Sequence, residues 1–236
     1  MIRLQAVAKT DVGIMRQMNQ DYCYANTNET GLLPNLFIVA DGMGGHNGGE
    51  IASSDVLHNL QFFFSDLPAT LSSGDFDEAI YDWLKSINSI LDSKGRADVQ
   101  YRDMGTTLVT LTYYNKRFYW MNCGDSRIYR LHGEELQQVS TDHSLNSMTG
   151  DKVHTGIITN CVGGGCQTSF IDMNECTDVV KPGDIWVLCS DGLSDMIDDE
   201  EIKQMLLDGA DAQKLCDAAV AAGGFDNVSA CVVKIV

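Results

Sequence analysis

The chain has 236 residues, 44% of them apolar and only 3 prolines, which suits one compact domain over residues 1–236 and excludes a linker-rich or disordered protein. The 16 basic residues against 33 acidic ones leave a formal charge of −17, which repels nucleic-acid backbones and anionic membrane surfaces. No apolar run reaches membrane-spanning length, the start Met1-Ile2-Arg3-Leu4-Gln5 lacks a signal-peptide core, and the eight cysteines show neither a CxxC pair nor a zinc spacing. They read as buried free thiols in a reducing compartment, so a cytoplasmic location is expected.

Residues 2–10 alternate as a strand, and Thr10-Asp11-Val12-Gly13 ends it in a loop that runs through Arg16 to Asn19-Gln20-Asp21. A short strand is predicted at 22–25. Leu36-Phe37-Ile38-Val39-Ala40 then runs straight into Asp41 and the glycine-rich Gly42-Met43-Gly44-Gly45-His46. An apolar strand that surfaces in a carboxylate and then glycines fixes the acidic group and leaves the main chain open to a cation or phosphate. Helical stripes follow at 49–67, with Ile51, Val56, Leu57, Leu60, Phe63 and Phe64, and at 76–91, with Ile80, Trp83, Leu84, Ile87 and Ile90.

From Gly105 the pattern changes to β-branched and aromatic runs at 106–114, 117–123 and 127–131, whose hairpin-length separations predict antiparallel neighbours. A polar region at 144–156 has no clear period. Strands are predicted again at 157–162, 169–176 and 184–189, then helices at 199–207 and 212–222, and a closing strand at 228–236. There is no internal repeat. The order fits a layered α+β fold in which helix pairs cover two packed antiparallel sheets.

Carboxylates recur at the strand edges. Asp191-Gly192 follows the apolar run Ile185 to Cys189, Asp125 follows 118–123, and Asp226-Asn227 follows a glycine pair. Four such carboxylates exceed what turn chemistry requires, and oxygen donors without His or Cys partners select Mg²⁺ or Mn²⁺ over zinc.

Taken in order, Asp11-Val12-Gly13 with Arg16 and Asn19-Gln20-Asp21, Val39 to His46, Gly105-Thr106-Thr107, Gly124-Asp125-Ser126-Arg127 and Asp142-His143-Ser144 form a specific set. Lys181-Pro182-Gly183-Asp184, Cys189 to Asp195 and Asp226-Asn227-Val228-Ser229 complete it. The set resembles the metal-dependent protein phosphatases of the type 2C serine/threonine class, in their bacterial form, across nearly the whole chain. The resemblance implies two packed antiparallel sheets flanked by helix pairs. It also implies hydrolysis of phosphoserine or phosphothreonine by direct attack of a water held between two metal ions, Mn²⁺ or Mg²⁺. By similarity Asp41 bridges the ions, Asp191 and Asp226 complete one site, and the Gly42 carbonyl serves the other. Arg16 is expected to hold the substrate phosphate, Asp21 to hydrogen-bond metal waters and Asn227 to orient Asp226. Asp125 and Asp195 match ligands of a third, weaker ion. Alone, however, Asp125 reads equally as a hairpin-turn residue and Asp195 as a helix N-terminal charge. The expected partners are phosphorylated proteins and an opposing serine/threonine kinase, with no nucleic acid, no membrane and a monomeric state.

Three departures stand out. Gln20 replaces a glutamate of many eukaryotic relatives. Met43 stands where those relatives have the histidine taken as general acid, and a thioether donates no proton, which leaves a metal-bound water or His46 for that step. Between Asp142-His143-Ser144 and Ile157 only about a dozen residues remain, so a reduced flap and a more open cleft are expected, with His143 packing or hydrogen-bonding locally. The alternative to an enzyme is a catalytically silent phosphoprotein-binding module. Asp41, Asp191 and Asp226 are all present, which favours the enzyme.

Overall fold

The computed structural model describes residues 2–27, 34–68, 70–149, 156–166 and 168–236, leaving aside the side chains of 45–47. Among the described residues, twelve strands form two sheets. The first contains β1 (Leu4–Asp11), β7 (Arg127–His132), β8 (Glu135–Gln138), β11 (Ile185–Cys189) and β12 (Val228–Ile235), in the order β1-β12-β11-β7-β8. The second contains β3 (Asn35–Met43), β5 (Leu108–Tyr114), β6 (Arg117–Cys123) and β10 (Asp172–Glu175), with β2 (Asp21–Asn26) on the other edge of β3. The two-residue strands β4 (Gly105–Thr106) and β9 (Val162–Gly163) extend this sheet past the end of β3. Every pairing is antiparallel, as the hairpin spacings predict.

Period-two alternation builds the layers. In β3, Phe37 and Val39 face the other sheet, while Leu36 and Ile38 face helices α1 (Gly45–Asp66) and α2 (Ser73–Ala97). In β11, Trp186 and Leu188 face inward, and Val187 and Cys189 face α5 (Asp199–Leu207) and α6 (Ala212–Ala221). In β12, Cys231, Val233 and Ile235 face inward and Val228, Ala230 and Val232 outward. Three apolar layers therefore separate helix pair, sheet, sheet and helix pair, the expected α+β sandwich.

The elements differ from expectation in five places. Helix α1 begins at Gly45, four residues early, because Gly42 and Gly49 pack backbone to backbone. A Cβ on Gly42 would lie 2.1 Å from the Gly49 carbonyl oxygen, so both positions need glycine and the helix start is fixed by that approach. Helix α2 extends beyond 76–91 at both ends, with the Ser72 side chain capping it by accepting from the Asp75 N–H. The strand expected at 157–162 does not form: Ile158 makes a single bridge to Ser144, and only Val162–Gly163 pairs as β9. Instead Asn160 uses its side chain like a strand, donating to the Phe170 carbonyl at 2.8 Å and accepting from the Phe170 N–H at 3.2 Å. The strand expected at 169–176 is confined to β10. Strand β8, too polar to announce itself, pairs with β7.

All eight cysteines are free thiols, six of them buried, as expected. Cys161 and Cys166 bring their sulfurs to 3.4 Å. No helix among the described residues is long and apolar enough to cross a membrane. In the flap region, α3 (Leu145–Thr149) is followed by residues 150–155, which lie outside the description.

Candidate metal centre

The alternation that buries Phe37 and Val39 between the sheets carries Asp41 to the same inner side, at the end of the sandwich. The β2–β3 register places Asp21 directly opposite it, so two carboxylates share one face as a cross-strand pair. From the first sheet, Ser190 follows β11 and Ser229 lies in β12. The Ser190 hydroxyl donates to Asp21 Oδ2 at 2.8 Å and accepts from the Ser229 N–H at 3.0 Å. This hydrogen-bonded chain ties the two sheets together beneath the carboxylates.

The Asp41 backbone is clamped on both sides. Its N–H donates to Thr107 Oγ1 at 3.0 Å, and its carbonyl accepts from the Thr106 hydroxyl and the Thr107 N–H, each at 2.8 Å. Thr107 Oγ1 also lies 2.7 Å from Ser126 Oγ, next to Asp125. Asp191 opens the single turn α4 (Asp191–Ser194) immediately after Ser190. Gly192 touches the Asn227 carbonyl, where a Cβ would lie 2.0 Å from the oxygen, so glycine is what lets α4 approach the start of β12.

Asn227 uses all of its side chain. It donates to the Val12 and Met18 carbonyls at 2.9 Å each and accepts from the Gln20 N–H at 2.9 Å, while its N–H donates to Asp226 Oδ1 at 2.8 Å. It thereby pins the 12–20 loop over the end of β12. Arg16, on that loop, places Nη2 2.7 Å from Asp226 Oδ2 with half its side chain exposed, and this contact raises its already high pKa.

The structure thus brings together Arg16, Asp21, Asp41, Gly42, Asp125, Asp191, Asp226 and Asn227. Asp195 lies at the exposed edge of this group: it caps the C-terminus of α4, with its N–H donating to the Asp191 carbonyl at 2.8 Å, and its charge is near enough to help raise the Asp125 carboxyl. It is therefore not a helix N-terminal charge. His143 behaves as expected. Its Nδ1 faces the Gly124 N–H and the Asn160 amide, which makes Nδ1 the acceptor and leaves Nε2–H to donate to Asp172 at 2.9 Å. The side chain of His46 lies outside the described residues. Sequence reasoning did not single out Ser190, Ser126 or Ser229, and gave Thr106 and Thr107 no role of their own. Their position beside the motif aspartates was the available signal.

Burial and crowding shift the titration of these carboxyls. Asp41 is held well above the ordinary carboxylate range, first by desolvation and then by the charges of Asp21, Asp191, Asp125 and Asp226. Asp21 is pushed up to about 7 by burial, against the pull of its hydroxyl hydrogen bonds, and Asp125 to about 7 by burial and then Asp191. The buried Oδ1 atoms of Asp21 and Asp125 have no hydrogen-bond partner. These residues fit divalent cations: hard oxygen donors, crowded, and short of positive charge. Among the described residues no three acidic, His or Cys side chains close tightly enough to hold an ion alone. Backbone carbonyl and water oxygens would complete the shells, as Mg²⁺ and Mn²⁺ commonly require.

A two-sheet sandwich with this donor set at its end places the protein among the metal-dependent phosphoester hydrolases. Residues 15–221 match the profile of protein phosphatase 2C. The chain belongs to that family, and is a metal-dependent phosphoprotein phosphatase of the serine/threonine class. It is 33% identical to protein phosphatase PhpP of Streptococcus pneumoniae over 96% of this chain and 95% of that protein. It superposes with a TM-score of 0.82 on the catalytic domain of the serine/threonine phosphatase PstP in complex with two manganese ions, at 30% identity and full coverage of both chains (100% each). A serine/threonine phosphatase of S. agalactiae matches with a TM-score of 0.86 at 25% identity, over 99% of this chain and 100% of that one.

Proposed function

We propose that residues 1–236 act as one catalytic domain in which two divalent ions, Mn²⁺ or Mg²⁺, would be held by Asp41, Asp191, Asp226 and the Gly42 carbonyl. The observation that carries this reading is the crowding of Asp21, Asp41 and Asp125 at one end of the sandwich, each raised by burial and by acidic neighbours. When bound, the cations neutralise the phosphoryl oxygens and activate water for direct attack at phosphorus.

The chain's own residues bind and orient. Arg16, at the mouth, offers a planar fork of donors to the substrate phosphate in exchange for its contact with Asp226. Asn227 fixes the loop that carries it. Ser190 orients Asp21, whose remaining oxygen is directed to metal waters. Asp125 and Asp195, with Asp191, form a third and weaker site, of which Asp125 is the buried member. Met43 supplies no proton, so the leaving oxygen needs another donor, a water at the site or His46.

The substrates are phosphoproteins, the counterpart is a serine/threonine kinase, and the protein works as a cytoplasmic monomer. The free thiols support the compartment. Hydrolysis of a phosphothreonine peptide in Mn²⁺, in Mg²⁺ and in chelator tests the core of the reading: turnover is expected only with metal, and turnover in chelator would sink it. Arg16→Ala is expected to raise KM for the peptide more than it lowers kcat, since the phosphate is already present in the ground state. An unchanged KM would remove Arg16 from phosphate binding.

A further inference from the structure

The segments that carry Arg16 and its partner Asp226 also expose apolar side chains, which the composition of the chain does not lead one to expect. Ile14 is 63% exposed, Met15 65% and Phe225 62%, with Val12 and Met18 at the edge of the same surface. Met15 precedes Arg16, and Phe225 precedes Asp226, the partner of Arg16, so each of the two segments that form the ion pair carries an exposed apolar residue next to it in the chain. The segments are joined by main-chain hydrogen bonds, with the Ile14 and Met15 N–H groups donating to the Gly224 carbonyl at 2.8 and 3.3 Å. Asn227 anchors the loop on both sides of Ile14 and Met15 through the Val12 and Met18 carbonyls. The apolar side chains are therefore held out on a fixed backbone.

A protein of charge −17 would be expected to surround a phosphate-binding arginine with polar or charged groups. Continuity with that arginine defines the occupant. Whatever segment delivers a phosphate to Arg16 must lay its neighbouring residues over Ile14, Met15 and Phe225, because adjacent residues of an extended chain are only about 3.8 Å apart. We propose that Ile14, Met15 and Phe225 form a shelf that selects phosphorylated segments carrying an apolar side chain within two positions of the phosphorylated residue.

The proposal rests on Arg16 taking the substrate phosphate. It deepens that reading by naming the substrate class. Burying one apolar side chain against the shelf would be worth about tenfold in kcat/KM, and the gain should fall mainly on KM because the contact is present before the transition state.

The test compares two phosphothreonine peptides that differ only in having leucine or serine at the positions next to the phosphothreonine, together with a small aryl phosphate that has no flanking residues, all in Mn²⁺. The wild-type protein is expected to favour the leucine peptide about tenfold, and Ile14→Ser combined with Phe225→Ser to bring the ratio near one. Met15→Gln alone should lower it partway. Equal kcat/KM for the two peptides in the wild type, or a ratio unchanged in the variants, overturns the shelf and leaves the phosphatase reading intact. No hydrolysis of any of the three substrates, with metal bound, removes both. Sedimentation of the same proteins covers the remaining occupant: a wild-type dimer that the double variant abolishes would make the surface an interface between copies and overturn the proposal.

Discussion

The two ends of β11 carry carboxylates in opposite circumstances. Before the strand, Asp184 has no exposed side-chain surface and is fully supplied by its own chain. Arg130 Nε approaches at 2.9 Å, His132 Nδ1 at 2.7 Å, and the Lys181 N–H donates at 2.9 Å. After the strand, Asp191 joins Asp21, Asp41 and Asp125, where Arg16 at the rim is paired with Asp226 and Asp21 and Asp125 keep buried oxygens without partners. A further carboxylate of the first sheet's neighbourhood, Asp142, resembles the Asp184 end: Arg127 grips it with Nε at 3.0 Å and Nη2 at 2.8 Å. Burial alone therefore does not mark a site. A buried carboxylate with its own cation is structure, and a group of them without one is a place for ions.

Three changes would break or sharpen that contrast. Asp41→Asn is expected to lower metal-dependent hydrolysis by more than about 1,000-fold, or roughly 4 kcal/mol, while the metal-free protein becomes no less stable in urea, since a carboxyl disfavoured in its ionised form by desolvation and acidic neighbours has been removed. A loss of stability in metal-free Asp41→Asn would show that the two ends are alike. Asp184→Ala should do the reverse. It strands Arg130 beside a void and costs about 3 kcal/mol of stability, read from the urea midpoint, while turnover per folded molecule is retained.

The smallest effect concerns pH. Asp21 and Asp125 ionise near 7 in the folded, metal-free protein and in the ordinary carboxylate range when unfolded. The folded state then binds more protons between about pH 4 and 7, so metal-free stability falls across that window as pH rises, by at least about 2 kcal/mol. Saturating Mn²⁺ should abolish the slope. A flat metal-free profile would contradict the burial described for these groups.

Much of this could be read from the sequence, for reasons that differ by residue. Leu36 to Ala40 form an uninterrupted strand signal, so Asp41 at its end was found together with the strand that fixes it. Asp191 and Asp226 were found the same way, by their place at strand edges. What escaped was decided by contacts between distant segments. Strand β8 is Glu-Leu-Gln-Gln and exists because β7 pairs with it. The apolar run 157–162 looks like a strand, but Asn160 satisfies Phe170 with its side chain and little ladder forms. Helix α1 starts inside a glycine run of poor helix propensity because Gly49 must approach Gly42. Ser190 and Thr107 carry no signature of their own, since a serine or threonine beside an aspartate is ordinary in any turn. Only the folded sheets show that one joins Asp21 to β12 and the other clamps Asp41.

Asn227 also imposes an order of events. Its amide meets Val12 from 215 residues away in the sequence, and β12 is at once the last strand and an interior one, lying between β1 and β11. While the chain emerges from the ribosome, the second sheet can pair and take its helices, but the first sheet lacks the strand that joins its parts. Contacts of such long range form slowly. Until β12 inserts, Arg16 has no anchored loop and Asp226 no position, so Asp21 and Asp41 can pair across the second sheet but the full set of carboxylates cannot assemble. Catalytic activity should appear with the final folding step, which makes hydrolysis itself a clock for completion of the fold.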